Sequence, residues 1–248
     1  MYAFPDIPKD QTRRAARCSI VLRDIFLEES AAENVPEQSL PRTRQNPLDL
    51  VPDAQQAKFF VLGGQFIILK ELCQQDLRFK TFYDLTGSSG RAGFAAVVLQ
   101  RWFSVISLES SSGGNFDRAV KAKRALRRFQ PSVALTKTSA WRIEHTNFKK
   151  ADWIDGDVVF FDGTLFANLD EGVLCLYLQA RLRALQAGSF VVLLTLCTDQ
   201  LLTGDGFMLI HRSTQKHTRT DGSDGGEFTS WLFKTRLHSN DRRVGVQD

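Results

Sequence analysis

The amino-acid sequence predicts an α/β protein: a mostly parallel, seven-stranded sheet behind an N-terminal helical and loop extension. Beyond position 78, short apolar runs alternate with helical patterns. The last two strand-like runs then follow one another with no helix between them, as an antiparallel pair does. At 248 residues and 43% apolar content the chain suffices for one substantial core.

Before the alternating part, Arg13–Phe26 has apolar spacing enough for a short helix. Four of the seven prolines (Pro36, Pro41, Pro47 and Pro52) fall in the polar tract Glu28–Gln56, which reads as a long loop or an arm that orders on docking. The expected division is an arm over 1–57 and a main domain over 58–248. Within Ala57–Leu77, Phe59, Phe60, Leu62, Phe66, Leu69 and Leu72 recur at near-helical intervals, interrupted by Gly63-Gly64. A short segment ending at Gly64 and a helix over Gln65–Gln75 are expected.

The predicted parallel strands are Lys80–Leu85, Ser104–Glu109, Ala140–Glu144, Asp157–Asp162 and Ser189–Thr195. Helices are expected between them over Gly93–Trp102, Asn115–Phe129 and Leu169–Leu185, with Gly188 placed to end the last one. Phe207–His211 and Ser230–Leu237 then read as an antiparallel hairpin. The polar stretch Thr214–Gly226 between them is expected to be a long, mobile tip.

The net charge of +4 gives only a weak bias toward polyanions. Arg118, Lys121, Lys123, Arg124, Arg127 and Arg128 crowd one helical segment, either as a solvated face or as a phosphate-contacting one. The four cysteines (Cys18, Cys73, Cys175, Cys197) are far apart with no CxxC pair, which argues against a metal site or disulfide framework and fits a reducing compartment. Asp6 and Asp10 stand among prolines where a secretory signal would be apolar, and no apolar run approaches the roughly 20 residues of a membrane span. A soluble intracellular protein is expected.

The chemistry concentrates in Tyr83-Asp84-Leu85-Thr86-Gly87-Ser88-Ser89-Gly90-Arg91-Ala92-Gly93, a strand entering a glycine-punctuated turn that leads into a helix. The next strand ends on Glu109. Small residues let backbone approach a nucleotide, and a carboxylate one strand later accepts hydrogen bonds from ribose hydroxyls. Thr86-Gly87-x-x-Gly90-x-x-Gly93 also resembles the TGxxGxxG loop of NAD(P)-binding short-chain dehydrogenases. Against that reading, some eighty residues precede the loop, Tyr177 is followed four positions on by Arg181 where a lysine is needed, and little chain remains for a substrate domain. The competing reading is an S-adenosylmethionine site, with Asp84 organising the amino-acid end of the cofactor. Five parallel strands followed by a terminal antiparallel pair is the layout of the class I methyltransferase sheet, a Rossmann-like fold.

Four segments occur in one order: Asp84-Leu85-x-Gly87-Ser88-x-Gly90, then Glu109, then Thr146-Asn147-Phe148, then Val158-Val159-Phe160-Phe161-Asp162-Gly163-Thr164-Leu165-Phe166. Together they resemble the non-SET histone lysine methyltransferases named for disruption of telomeric silencing, in the compact form of kinetoplastid protozoa. That family's loop reads roughly DLGSGxGQ, its adenine is met by an Asp-Phe pair, and its lysine channel is lined by an NNFAF motif. The resemblance implies cofactor-binding roles for Asp84, Thr86, Gly87, Ser88, Gly90, Arg91 and Glu109, with Asn147 and Phe148 at the adenine. It implies catalytic roles for Asp162, Thr164 and Phe166. Thr86 and Ser88 stand where the family has glycines, Arg91 where it has glutamine, and Asp162-Gly163 where it has paired asparagines.

The resemblance further implies a nuclear enzyme acting on histone or nucleosome, at a lysine of the folded core of histone H-three, with a non-specific DNA contact through Arg118–Arg128 and no metal. A protonated lysine cannot attack, and deprotonation at neutral pH costs roughly 4–5 kcal/mol from a reference pKa near 10.4. Desolvation in an aromatic channel walled by Phe166 and Trp231 would lower that cost, and Asp162 would orient the amine. Each residue also has a structural reading. The glycines could simply make a turn, Phe148 could be core, and the four histidines have no metal-ligand spacing. A methyltransferase for a nucleic-acid or other protein amine, and a silent nucleotide-binding module, stay open on these residues.

Overall fold

A computed structural model describes residues 54–87, 90–109, 114–129, 141–163, 171–195, 206–218 and 224–236. The Arg13–Phe26 helix, Ser88, Thr164 and Phe166 lie outside the described residues. The strands are β1 (Thr81–Asp84), β2 (Ser104–Glu109), β3 (Trp141–His145), β4 (Val158–Asp162), β5 (Phe190–Thr195), β6 (Phe207–Thr218) and β7 (Asp224–Thr235). They form one seven-stranded sheet in the order β3-β2-β1-β4-β5-β7-β6. The first five are parallel, and β7 lies antiparallel between β5 and β6. The helices are α1 (Ala54–Glu71), α2 (Arg91–Leu99), α3 (Asn115–Phe129) and α4 (Glu171–Arg183).

Strand periodicity sorts the core onto two faces. Phe82, Val105, Val158, Phe160, Val192 and Leu232 point to one side and pack with Phe66 of α1 and Phe94 of α2. Tyr83, Ile106, Val159, Phe161, Val191 and Leu193 point to the other, against Leu178 and Leu182 of α4. On the first face the rings of Phe66, Phe82 and Trp102 interlock, with centroids 5.1, 5.2 and 5.5 Å apart. Edge-on arrangements of this kind add about 0.5–1.5 kcal/mol per pair beyond the burial itself.

Two expectations are corrected. The Gly63-Gly64 pair does not interrupt a helix: α1 runs unbroken from Ala54 to Glu71, its first four residues lying in the expected arm. A Cβ at Gly63 would lie 3.3 Å from Leu99 Cδ1, so this glycine lets α1 approach α2 closely. The intrinsic helix cost of glycine, about 1 kcal/mol, is outweighed by burial of Val61, Leu62, Phe66 and Leu69.

The second correction concerns Thr214–Gly226. Most of it is strand: β6 and β7 keep their pairing through Thr214↔Thr229, Gln215↔Phe228, Lys216↔Glu227 and His217↔Gly226. Only 219–223 lie outside the described residues. Thr214 and Lys216 are exposed on a long hairpin, joined across the strands by the Lys216–Glu227 pair at 3.8 Å. On its inner side, Gln65 Nε2 of α1 donates to Ser230 Oγ at 2.8 Å, and Ser230 Oγ lies 2.8 Å from Ser213 Oγ.

Candidate active site

Three carboxylates end neighbouring strands where the strand order reverses. Asp84 ends β1 and is in register with Ser107 on one side and Phe160 on the other. Both neighbouring strands run two residues further, ending on Glu109 and Asp162. All three positions follow the alternation Phe82–Asp84, Val105–Ser107–Glu109 and Val158–Phe160–Asp162, so they share the face covered by α1 and α2. Asp84 and Glu109 are 0% exposed and Asp162 is 3% exposed. Ligands of open parallel sheets bind at such a reversal, beyond the carboxyl ends of the strands.

Asp84 is held by the turn it starts. The Thr86 N–H donates to Asp84 Oδ1 at 3.3 Å and the Thr86 hydroxyl donates to the same atom at 3.4 Å. That hydroxyl also accepts from the backbone N–H of Asp162 at 3.2 Å. Thr86, standing where a glycine was expected, therefore ties the loop to the end of β4. Asp84 Oδ2 makes no hydrogen bond among the described residues. Burial pushes the Asp84 carboxyl up to about 7. The N–H groups of Thr86, Gly87 and Gly93 counter part of the rise, and the charge of Asp162 adds to it.

A carboxyl raised in the folded state keeps its proton while the unfolded chain has already released it. This contribution to stability therefore falls as pH rises from the ordinary carboxyl value of 3.8 to about 7, and is level above. The expected result for Asp84→Asn is a flatter dependence of melting temperature on pH over that window than in the parent chain, measured by thermal melts at matched ionic strength.

Gly87 adopts φ +71°, and a Cβ there would lie 2.5 Å from Glu109 Oε2 and 2.7 Å from the Leu108 carbonyl oxygen. The Glu109 carboxylate thus lies directly against the turn. Gly90 and Gly93 serve a different end. Gly90 (φ +73°) caps α2, and a side chain there would strike Ala119 and Trp141. A Cβ on Gly93 would strike Ser107 Oγ and Trp141 Nε1, which are hydrogen-bonded to each other at 3.1 Å. Arg91 is the first residue of α2 and is half-buried.

On Asp162, Lys58 of α1 places its ammonium 2.7 Å from Oδ2. The same ammonium lies 5.3 Å from the ring centroid of Phe228 on β7. Among the described residues the arrangement sets three buried carboxylates beside a glycine turn, with the Lys58 ammonium on Asp162.

Among solved structures, the N-methyltransferase NodS of Bradyrhizobium japonicum in complex with S-adenosyl-L-homocysteine is similar, with a TM-score of 0.50 and 11% identity over 78% of this chain and 93% of that one. A SAM-dependent methyltransferase of Methanosarcina mazei gives 0.50 and 11% over 67% and 97%. An RNA methyltransferase of Salinibacter ruber gives 0.42 and 15% over 73% and 94%. The fold is that of the class I methyltransferases. No family model and no curated protein matches the chain.

In this class I sheet the expected adenine pair is engaged elsewhere. Asn147 Oδ1 accepts from the backbone N–H groups of Lys149 and Lys150, at 3.0 and 3.2 Å, closing a turn after β3. The Phe148 ring is buried against Phe161 and Tyr177, and its carbonyl accepts from Trp153 Nε1 at 2.7 Å. Among the described residues, His145, in register with Glu109, stacks on Phe116 at 4.7 Å between centroids. Trp231 also differs from the channel-wall expectation. It is 7% exposed, belongs to the α4-side core and carries the Arg212 guanidinium over its ring at 4.4 Å.

The dehydrogenase alternative is not favoured by this architecture. Tyr177 Oη donates to the Lys149 carbonyl on the α4 side of the sheet, while the carboxylates sit on the other. On α3, Lys121 and Arg124 are exposed, whereas Lys123 Nζ donates to the Trp141 carbonyl. Among the described residues there is no group of His, Cys, Asp or Glu that could hold a metal, and no helix long and apolar enough to cross a membrane.

Sequence reasoning missed Lys58. Its signal is a single charge within the apolar run 57–69, three, four, seven and eight positions before Val61, Leu62, Gln65 and Phe66. That spacing puts it on the inward face of α1.

Proposed function

We propose that the chain is an S-adenosylmethionine-dependent N-methyltransferase whose acceptor is a lysine amine. The observation that carries this is the placing of buried Asp84, Glu109 and Asp162 at the ends of adjacent strands, beside the Thr86-Gly87 turn, at the strand-order reversal. The cofactor presents an α-ammonium, a sulfonium and two ribose hydroxyls. Asp84, a buried carboxyl with one oxygen outside any hydrogen bond among the described residues, suits the ammonium, whose positive charge favours the ionised carboxylate that burial alone disfavours. Glu109, lying against the glycine turn, suits the hydroxyls. When bound, the cofactor supplies an activated methyl group.

The chain's own part is positioning. Asp162 accepts from an amine N–H and fixes its direction, as it does for Lys58. Thr86 holds the Asp162 backbone to the cofactor turn. Burial around Asp162 limits the water competing for the amine. The finer reading, transfer to a lysine in the folded core of histone H-three within the nucleus, is supported by the resemblance of the four sequence segments. The exposed Lys121 and Arg124 on α3 supply cations for nucleosomal DNA.

The test offers methyl-labelled cofactor to histone octamers, nucleosomes and RNA in parallel. Label in histone, stable to acid and mapped to lysine, is the expected result. Label in RNA alone would replace the lysine acceptor with a nucleobase amine. Binding of S-adenosylhomocysteine by calorimetry with no transfer to any of them would mark a silent module.

A further inference from the structure

The seat on Asp162 is filled by an amine of this chain. Lys58 reaches it from the inward face of α1, its side chain only 17% exposed and that of Asp162 4% exposed. The carboxylate and the Phe228 ring 5.3 Å from Nζ are the charged and aromatic neighbours that an incoming lysine would need. Gln65, seven residues on, anchors the same helix face to Ser230 of β7. The Lys58 bridge is made at the last residue of β4, whose N–H is tied through Thr86 to the glycine turn.

We propose that Lys58 is an internal methyl acceptor, modified by the chain's own site. The inference rests on reading that site as a lysine N-methyltransferase centre. Holding acceptor and donor on one scaffold replaces an encounter with a unimolecular step. The Lys58 ammonium first releases one proton to solvent, and the Nζ lone pair so freed forms the new N–C bond as the methyl–sulfur bond breaks. Sulfur keeps the electron pair of that bond and becomes a neutral thioether. The product keeps its positive charge, and up to two methylations leave an N–H for Asp162. Added methyl groups also extend the contact with Phe228, as alkylammonium ions favour aromatic faces. Lys58 therefore stays seated after modification, and an external lysine has to displace it.

The full-length chain is incubated with methyl-labelled S-adenosylmethionine and no other substrate, then mapped by mass spectrometry. Binding of S-adenosylhomocysteine is measured by calorimetry on the same preparation. A cofactor-free arm measures acetylation of each lysine by an amine-reactive ester. The expected results are whole methyl increments on the peptide containing Lys58, at a rate per molecule independent of protein concentration, and none on that peptide in Lys58→Arg. Slow acetylation of Lys58 relative to Lys149 and Lys150 is also expected, with the protection lost in Asp162→Asn. Cofactor binding without methyl on Lys58, or methyl only on other lysines, overturns the inference and leaves the proposed function standing. Absence of cofactor binding overturns both.

Discussion

Gly87→Ala lowers the affinity for S-adenosylhomocysteine by about two orders of magnitude while the sheet remains folded. The residue sits at φ +71°, where an L side chain is strained, at a cost of about 1–3 kcal/mol. Its new methyl would lie 2.5 Å from Glu109 Oε2 and 2.7 Å from the Leu108 carbonyl oxygen. The backbone carbonyl is fixed by the β2 ladder, so the Glu109 carboxylate must move. Charge-assisted hydrogen bonds to two ribose hydroxyls are worth about 1.5–3 kcal/mol each, and each 1.4 kcal/mol is a factor of about ten. Titration calorimetry checks the affinity and circular dichroism the fold. An affinity within about threefold of the parent chain would remove Glu109 and Gly87 from the cofactor site.

Asp162→Asn has the second large effect, and it falls on transfer instead of cofactor binding. The carboxylate is 3% exposed and is the partner of the Lys58 ammonium at 2.7 Å. An amide keeps the shape and one acceptor but loses the charge, so an incoming ammonium is neither attracted nor oriented as before. Loss of one such positioning or charge-stabilising group costs about 10²–10³ in turnover. Cofactor affinity changes little, because Asp84 and Glu109 are untouched. Steady-state kinetics with a histone acceptor, together with calorimetry, separates the two effects. Turnover within a few-fold of the parent chain would reject Asp162 as the amine acceptor.

Much of this arrangement is legible in the amino-acid order because strands alternate with a period of two. Val105–Ser107–Glu109 and Val158–Phe160–Asp162 each end an apolar run on a carboxylate. Such a residue at a strand's carboxyl end can only face the covered side or leave the sheet. The run of Asn115–Phe129 is equally plain, since Ala119 and Ala122 mark its buried face while Lys121 and Arg124 are exposed.

What could not be read depends on partners distant in sequence. Gly63-Gly64 looks like a break until Leu99 is known to lie against it. Asn147 and Phe148 have the right chemistry for an adenine edge and equally for a turn and a core, and only the positions of Lys149, Phe161 and Tyr177 decide which use they find. Lys58 meets Asp162 across 104 residues, and no local pattern in either segment names the other.

The hydrogen bond between Gln65 and Ser230 joins positions 165 residues apart. Closing so long a loop costs entropy before it is rewarded, so contacts of this kind form late in folding. The first helix of the sheet domain therefore waits for the final hairpin. Until β7 is laid beside β5, α1 lacks its Ser230 anchor, and Lys58 lacks the Phe228 ring beside the seat on Asp162. Completion of the proposed acceptor site thereby becomes a late event in the life of each molecule, timed by its carboxyl-terminal strands and not by the glycine turn that is made more than a hundred residues earlier.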